Sequence, residues 1–278
     1  MNTDLSREQI DFYQENGYIV IEDFLTPDEL ETWRRNVDDA IAQRDGRITA
    51  GGMLASERIV DEESAYFDKV FVHRQNLWID HAGMRELMWD PRLGKMVSEL
   101  AGVDGMRIWH DQALIKQPWA NPTGWHLDNA SWSYSSHDAI TIWVALDDAT
   151  RENGCLYFLP GAHKTATFDH AGIGPNISDL FEIYPQWAEL QSVAATMKAG
   201  SCSFHNGLMP HGAGANMTPG TRRAMTCGYM PDGSTFNGKQ SALPQAYFES
   251  LEIGDVLDND AINPLIWHET KAYVGAKY

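Results

Sequence analysis

Apolar residues in the N-terminal part of the chain recur at the spacing of helices. A short helix is predicted over residues 6–16, and Gly17 ends it. The apolar side of this helix is formed by Ile10, Phe12 and Tyr13. The β-branched run Tyr18–Ile21 that follows predicts a strand.

A second helix is predicted to begin after Thr26. The hydroxyl of Thr26 can cap it, Pro27 suits the first helical position, and Glu29 completes a capping box. Its apolar side consists of Leu30, Trp33, Val37 and Ile41. Helical spacing continues to about Arg44, so the helix should end there.

Gly51 and Gly52 predict the start of a loop. Residues 84–101 again show helical spacing, interrupted at Asp90 and Pro91, because a proline cannot continue the hydrogen bonding of a preceding helix. The helical part of the chain therefore extends to about residue 105.

Beyond Met106 the pattern changes to short apolar or alternating runs separated by turn residues. The runs lie at 108–116, 139–145, 155–159, 192–197, 201–204 and 223–230. Pro160–Gly161 and Pro219–Gly220 are typical turn pairs. This rhythm predicts an antiparallel β-sandwich or barrel with flanking helices.

No repeat, linker or low-complexity tract divides the sequence, so residues 1–278 are predicted to form a single domain. Its parts would be the helical region 1–105, a barrel core over 106–230, and a C-terminal segment that packs on the barrel. Residues 164–190 are expected to be an irregular insertion.

Composition and charge narrow the possible partners. Apolar residues make up 43% of the chain, including 10 Trp, 10 Tyr and 10 Phe, which is enough for a large core and an aromatic pocket. The net charge of −18 argues against nucleic acid or an anionic membrane as a partner.

The sequence shows neither a signal peptide nor a membrane span, and its 3 cysteines suggest no disulfide framework, so a cytoplasmic protein is expected.

The candidate chemistry begins with His126 and Asp128. Positions i and i+2 of a strand point to the same face, so these two side chains could bind one ion. A distant third ligand is expected at His211, where Gly212 and Gly214 allow a close approach of the backbone. Two imidazoles and a carboxylate form the facial triad of non-haem Fe(II) oxygenases.

Four motifs resemble the phytanoyl-CoA dioxygenase family of Fe(II)/2-oxoglutarate oxygenases. They are Trp125-His126-Leu127-Asp128, the run from Asn153 to Lys164, the run from Phe204 to Asn216, and Thr221-Arg222-Arg223-Ala224. Their order and spacing agree with the family over roughly residues 6–230. The resemblance implies a double-stranded β-helix, a jelly-roll barrel of the cupin kind, with helices packed outside.

The same resemblance implies the cofactors and the ligands. His126, Asp128 and His211 would hold Fe(II), while 2-oxoglutarate and O2 are consumed and succinate and CO2 are released. Arg222 matches the family's carboxylate-binding arginine, and its planar fork suits a carboxylate. Arg223 is the rival candidate, but neighbours in a strand face opposite sides.

Weaker matches place Trp143, Gln112 and Lys69 near 2-oxoglutarate. Position 213 departs from the family, because relatives often have serine where this chain has Ala213. Residues that flank the metal motif were considered as a substrate pocket: Trp125, Asn129, Trp132 and Tyr134. No role is assigned to the other histidines, and His205 belongs to a family pattern that does not bind the metal.

Hydroxylation of a free small molecule is the expected reaction, by a monomer or homodimer. Related halogenases have a small residue where this chain has Asp128, so halogenation is disfavoured. The chain shows no basic cluster to meet the phosphates of an acyl-CoA. Desaturation or ring formation on a natural-product intermediate stays open, as do a non-catalytic cupin-like metal-binding protein and a metalloenzyme that uses no co-substrate.

Overall fold

The computed structural model describes residues 1–48 and 66–273, so the loop predicted at Gly51 and Gly52 lies outside the described residues. Helix α1 spans Arg7–Asn16, strand β1 spans Tyr18–Ile21 and helix α2 spans Pro27–Gln43. Both helices begin with a complete capping box, at Ser6 and at Thr26, as the sequence predicts for the second of them.

Further helices precede the long strands in the described part of the chain. They are α3 (Leu77–Asp80), α4 (Ala82–Met88) and α5 (Pro91–Ala101). The predicted interruption lies between α4 and α5, where the Asp90 side chain accepts a hydrogen bond from the Arg92 amide and caps α5. Among the described residues no helix is both long and apolar enough to cross a membrane.

Seven antiparallel strands form the larger sheet of the described chain, in the order β1-β8-β5-β10-β3-β11, with β2 also paired to β3. Besides β1, its strands are β2 (Val72–Gln75), β3 (Gly105–Lys116), β5 (Ile140–Ala145), β8 (Cys202–Asn206), β10 (Arg222–Pro231) and β11 (Leu265–His268). Two parts of one long strand, β3, therefore pair with β2 and β11.

The smaller sheet has four antiparallel strands in the order β4-β9-β6-β7. These are β4 (Thr123–His126), β6 (Leu156–Phe158), β7 (Val193–Ala195) and β9 (His211–Ala213). Short helices α6 (Leu180–Ile183) and α7 (Gln245–Phe248) lie in the connections. The region 164–190 is otherwise irregular, as predicted.

Alternation along the strands of the larger sheet separates two cores. On β5, Ile142 and Val144 face the helices, whereas Trp143 and Ala145 face the smaller sheet and pack with Phe158. The two sheets thus pack face to face with helices outside, which confirms the predicted fold class, a mainly antiparallel jelly roll with flanking helices. All three cysteines are buried and free.

Two details differ from the sequence prediction. Phe12 is 44% exposed while Tyr13 is buried, because one helical step turns by about 100° and both cannot face the core. The C-terminal segment supplies strand β11, which pairs with β3. Strands β2, β9 and β11 were not predicted, since runs of three or four residues carry little periodicity, and the strand assumed at His126 ends there instead of including Asp128.

Candidate metal centre

Two imidazoles are brought together by strand pairing in the smaller sheet. His126 is the last residue of β4 and His211 the first residue of β9, and the two are direct cross-strand partners. Their ring centroids lie 4.1 Å apart. Distant sequence positions therefore meet because β4 and β9 are antiparallel neighbours.

Asp128 reaches the same point from a turn. It lies beyond the end of β4 with φ −67° and ψ −59°, a helical conformation, so the alternation of a strand does not place it. Its Oδ1 lies 3.6 Å from His126 Nε2 and 3.7 Å from His211 Nε2. Contrary to the prediction from strand positions i and i+2, Asp128 does not share a strand face with His126, although the three side chains do converge.

The convergence fits a single divalent ion. One ligand-type atom from each of His126, Asp128 and His211 lies within 4.8 Å of the other two. His126 Nδ1 lies 2.9 Å from the Gly124 carbonyl, and His211 Nδ1 lies 2.9 Å from the Met209 carbonyl. Because a carbonyl oxygen only accepts, each Nδ1 carries the proton and each Nε2 lone pair faces Asp128.

Protonation at neutral pH also suits metal binding. Burial lowers the pKa of both His126 and His211 to about 4. Burial alone would raise the pKa of Asp128, but the surrounding histidines, His211 first, hold it well below its usual range. Two neutral imidazoles and one carboxylate are therefore available without prior loss of a proton.

The second oxygen of Asp128 is held by the larger sheet. Thr141 Oγ1 donates a hydrogen bond to Oδ2 at 2.9 Å, and His205 Nε2 lies 3.2 Å from the same oxygen. Neither contact follows from a sequence motif, because only the cross-strand pairing of Thr141 with His205 brings these two side chains together. Oδ1 is left facing the two ligand histidines.

A cavity of about 260 Å³ opens on this cluster, and Arg222 lines it. Arg222 is 2% exposed, and its Nε and Nη1 atoms have no hydrogen-bond partner in the described part of the chain. Its guanidinium lies 5.1 Å from the centre of the Trp143 ring, and burial lowers its pKa to about 10. A buried cation with two unused donors fits an incoming carboxylate.

Arg223 faces the opposite way. Its Nε and Nη2 bind the two carboxylate oxygens of Asp147 at 3.0 and 2.9 Å, and its Nη1 binds Asp38 at 2.8 Å. Its donors are therefore already used on the outside of the sheet. Of the two neighbouring arginines, Arg222 is the one that lines the cavity.

Comparison with known proteins decides the family. A sequence profile of the family described as phytanoyl-CoA dioxygenase (PhyH) matches residues 13–224. The chain belongs to the phytanoyl-CoA dioxygenase family. One similar protein is a phytanoyl-CoA dioxygenase of Arabidopsis thaliana. It is 27% identical over 246 residues, and the match covers 79% of this chain and 87% of the relative. The peroxisomal phytanoyl-CoA dioxygenase of Homo sapiens is 26% identical, covering 81% of this chain and 68% of the relative.

A solved structure agrees with this assignment. The non-haem α-ketoglutarate-dependent carbocyclase SnoK from nogalamycin biosynthesis superposes with a TM-score of 0.76 at 26% identity, over 94% of this chain and 96% of SnoK. This member of the phytanoyl-CoA dioxygenase family is thus a 2-oxoglutarate-dependent non-haem iron dioxygenase, with Fe(II) and 2-oxoglutarate as cofactors and O2 as oxidant.

Of the three residues predicted to lie near 2-oxoglutarate from weaker matches, two line the cavity and one does not. Trp143 and Gln112 line the cavity, and the Gln112 Oε1 atom lies 2.6 Å from His73 Nε2. Lys69 is exposed and lines a separate surface cleft beside Trp119, so its position does not support a co-substrate contact. Ala213 lines the cavity, and its methyl group cannot donate the hydrogen bond of a serine.

Of the residues considered as a substrate pocket, only Trp132 lines the cavity. Trp125 packs against Phe181, and the Asn129 side chain binds the main chain at Tyr134 and Ser136. The Tyr134 hydroxyl donates to the Tyr229 carbonyl at 3.1 Å, so it is also internal. His110, which has no role in the sequence prediction, lines the cavity as well.

Proposed function

We propose that this protein hydroxylates a free small molecule with Fe(II), 2-oxoglutarate and O2, releasing succinate and CO2. One observation carries the proposal: a convergent His126, Asp128 and His211 set and a buried Arg222 with unused donors line the same cavity. A metal-binding protein without co-substrate has no need of that arginine.

The residue roles follow from chemistry. His126, Asp128 and His211 would bind Fe(II) on one face and leave the opposite positions for the co-substrate and oxygen. Arg222 would pair with the distal carboxylate of 2-oxoglutarate, with the Trp143 ring behind its guanidinium. Bound iron supplies the oxidation of the substrate C–H bond. Because Asp128 occupies the third ligand position, we propose hydroxylation rather than halogenation.

A free molecule is proposed rather than an acyl-CoA. Among the described residues that line the cavity, Arg222 is the one with a permanent positive charge, and the co-substrate would use it. The phosphates of coenzyme A would find no second cation there. Oxidative ring formation is the second candidate, because the similar structure SnoK is named a carbocyclase.

The setting of the enzyme is also a proposal. The net charge of −18 argues against nucleic acid and anionic membrane as partners. Three buried free thiols fit a reducing compartment such as the cytoplasm. Residues 1–278 would act as one domain, since β11 from the C-terminal segment pairs with β3, and the active species would be a monomer or homodimer.

The test is succinate formation. The purified protein with Fe(II), 2-oxoglutarate and O2 should release succinate, and a library of uncharged metabolites should contain compounds that accelerate the release. Products heavier by one oxygen atom support hydroxylation, whereas products lighter by two hydrogen atoms support ring formation or desaturation. Absence of iron-dependent succinate would leave a metal-binding protein as the remaining interpretation.

A further inference from the structure

Four residues that are successive cross-strand partners form one row across the larger sheet, and this row extends past the metal cluster. His110 on β3 is the cross-strand partner of Gly228 on β10, Gly228 is the partner of Thr141 on β5, and Thr141 is the partner of His205 on β8. Thr141 and His205 contact Asp128. His110 lies at the other end of the same row, two strands from Thr141, or about 10 Å by the usual strand spacing.

The glycine in this row makes room for an aromatic ring. A Cβ atom on Gly228 would lie 2.8 Å from Trp132 Cη2, so the indole rests directly on the backbone of β10. The Trp132 ring meets the His110 ring edge to face, with centroids 5.7 Å apart and an angle of 89° between the planes. Both rings line the cavity, and together they define the His110–Trp132 wall.

His110 has unused hydrogen-bonding capacity. It is 3% exposed, and its Nδ1 atom has no partner among the described residues. A buried polar atom without a partner costs stability, and His110 lines the cavity, so a ligand that hydrogen-bonds with this imidazole is the best explanation. Burial lowers the pKa of His110 to about 3, and a neutral imidazole can donate through one nitrogen and accept through the other.

This wall is distinct from the co-substrate end. Arg222 lies on the same strand as Gly228, six residues before it, so about 20 Å of extended strand separates their Cα atoms. The long Arg222 side chain reaches back along the strand to the Trp143 ring. The cavity therefore has a cationic end at Arg222 and an uncharged aromatic end at the His110–Trp132 wall.

We propose that the His110–Trp132 wall binds the primary substrate, and that this substrate is an uncharged ring compound with a hydroxyl or carbonyl oxygen. The inference rests on the proposed function. The substrate oxygen would hydrogen-bond with His110 while its ring packs on the Trp132 indole. A carboxylate at the same place would face a neutral imidazole and no cation among the described residues of this wall.

The test compares four probes on one skeleton: α-tetralone, α-tetralol, tetralin and the α-carboxylate of tetralin. Their affinities for the anaerobic Fe(II)·2-oxoglutarate enzyme are measured by titration calorimetry. The ketone and the alcohol should bind about tenfold more tightly than tetralin and the carboxylate, as one hydrogen bond in a buried site predicts. Equal affinities, or no binding of the ketone and alcohol, overturn the proposal.

Substitutions then assign the effect to His110. His110→Phe keeps the ring contacts with Trp132 and should remove the tenfold advantage while leaving tetralin binding unchanged. His110→Asn or His110→Gln places an amide near the former Nδ1 or Nε2 and should restore much of the advantage in one of the two. His137→Ala, on an exposed loop, is the matched control. An unchanged preference in His110→Phe also overturns the proposal.

Circular dichroism checks that each variant is folded. If folded His110→Phe loses the probe preference that His137→Ala keeps, the wall binds substrate. If the unmodified protein forms no iron-dependent succinate, the proposed function itself fails. Succinate formation without any preference among the probes would refute only the substrate class.

Discussion

The two sheets contribute to the cavity in different ways. The smaller sheet presents His126 and His211, whose Nδ1 atoms are fixed by main-chain carbonyls of their own segments. The larger sheet presents the groups that surround them, among them Thr141 and Arg222. Under the proposed function, metal binding would depend mainly on the smaller sheet and co-substrate binding mainly on the larger one. Substitutions on one sheet should therefore leave the function of the other largely intact.

The largest expected effect is on the smaller sheet. His126→Ala or His211→Ala removes one of three ligands, so stoichiometric Fe(II) binding should be lost while the fold persists. Metal content after anaerobic reconstitution and circular dichroism measure the two outcomes. His137→Ala, whose side chain is exposed, should bind iron normally. Near-full iron content in either ligand variant would refute the assignment.

The second effect is on the larger sheet. Arg222→Ala removes a buried fork that would pair with the distal carboxylate, so the KM for 2-oxoglutarate should rise about a hundredfold with little change in Fe(II) affinity. Steady-state succinate formation measures the KM. Arg223→Ala is the matched control, because its guanidinium binds Asp147 and Asp38 on the outside. A similar rise in both variants would contradict the separation of roles.

The candidate ligands on the smaller sheet could be predicted from the sequence because they lie in short motifs, and the structure brings their side chains together with Asp128. The physical reason predicted for their convergence with Asp128 was only partly correct. His126 and His211 meet as cross-strand partners, as distant strands of a barrel can, but Asp128 arrives from a turn after β4. Turn geometry depends on local hydrogen bonds that a His-x-Asp spacing does not encode.

Most side chains that the larger sheet places in the cavity could not be predicted from the sequence. Thr141, His205 and His110 come from three different strands, and only the register of the sheet places them in one row. Arg222 was preferred because it matches the family's carboxylate-binding arginine, whereas alternation required only that one of Arg222 and Arg223 face inward; Arg222 is the one that lines the cavity. Lys69, predicted from a loose alignment, lines the neighbouring surface cleft and not the cavity, and its contact with 2-oxoglutarate stays a prediction.

The third prediction concerns the pH dependence of stability, which should come from the histidines of the smaller sheet and not from Arg222 of the larger sheet. Burial lowers the pKa of His126 and His211 from 6.5 to about 4 in the folded protein, so the unfolded chain binds more protons between these values. Each of these two histidines should therefore lower the unfolding free energy of the metal-free protein by about 2–3 kcal/mol as the pH falls from about 6.5 to about 4. Arg222, with a pKa of about 10, stays charged throughout.

Urea unfolding of the metal-free protein at several pH values measures this loss. His126→Asn cannot gain the proton, so its stability should fall less steeply over the same range. Equal slopes for the two proteins would show that other groups control the acid sensitivity.

The smallest expected effect tests whether the larger sheet assists metal binding at all. Thr141→Val keeps the shape of the side chain but removes its hydrogen bond to Asp128 Oδ2, so Oδ1 is less firmly aimed at the ion. Fe(II) affinity without co-substrate should fall about tenfold, and Thr141→Ser should restore it. Thr226→Val, on the neighbouring strand of the same cavity, is the control.

The visible spectrum of the Co(II)-substituted protein should change in Thr141→Val and not in Thr226→Val, since only a carboxylate that has shifted at the ion alters the ligand field. Unchanged affinity and spectrum in Thr141→Val would mean that the histidine pair and its own backbone contacts suffice, and that the two sheets are independent even at Asp128.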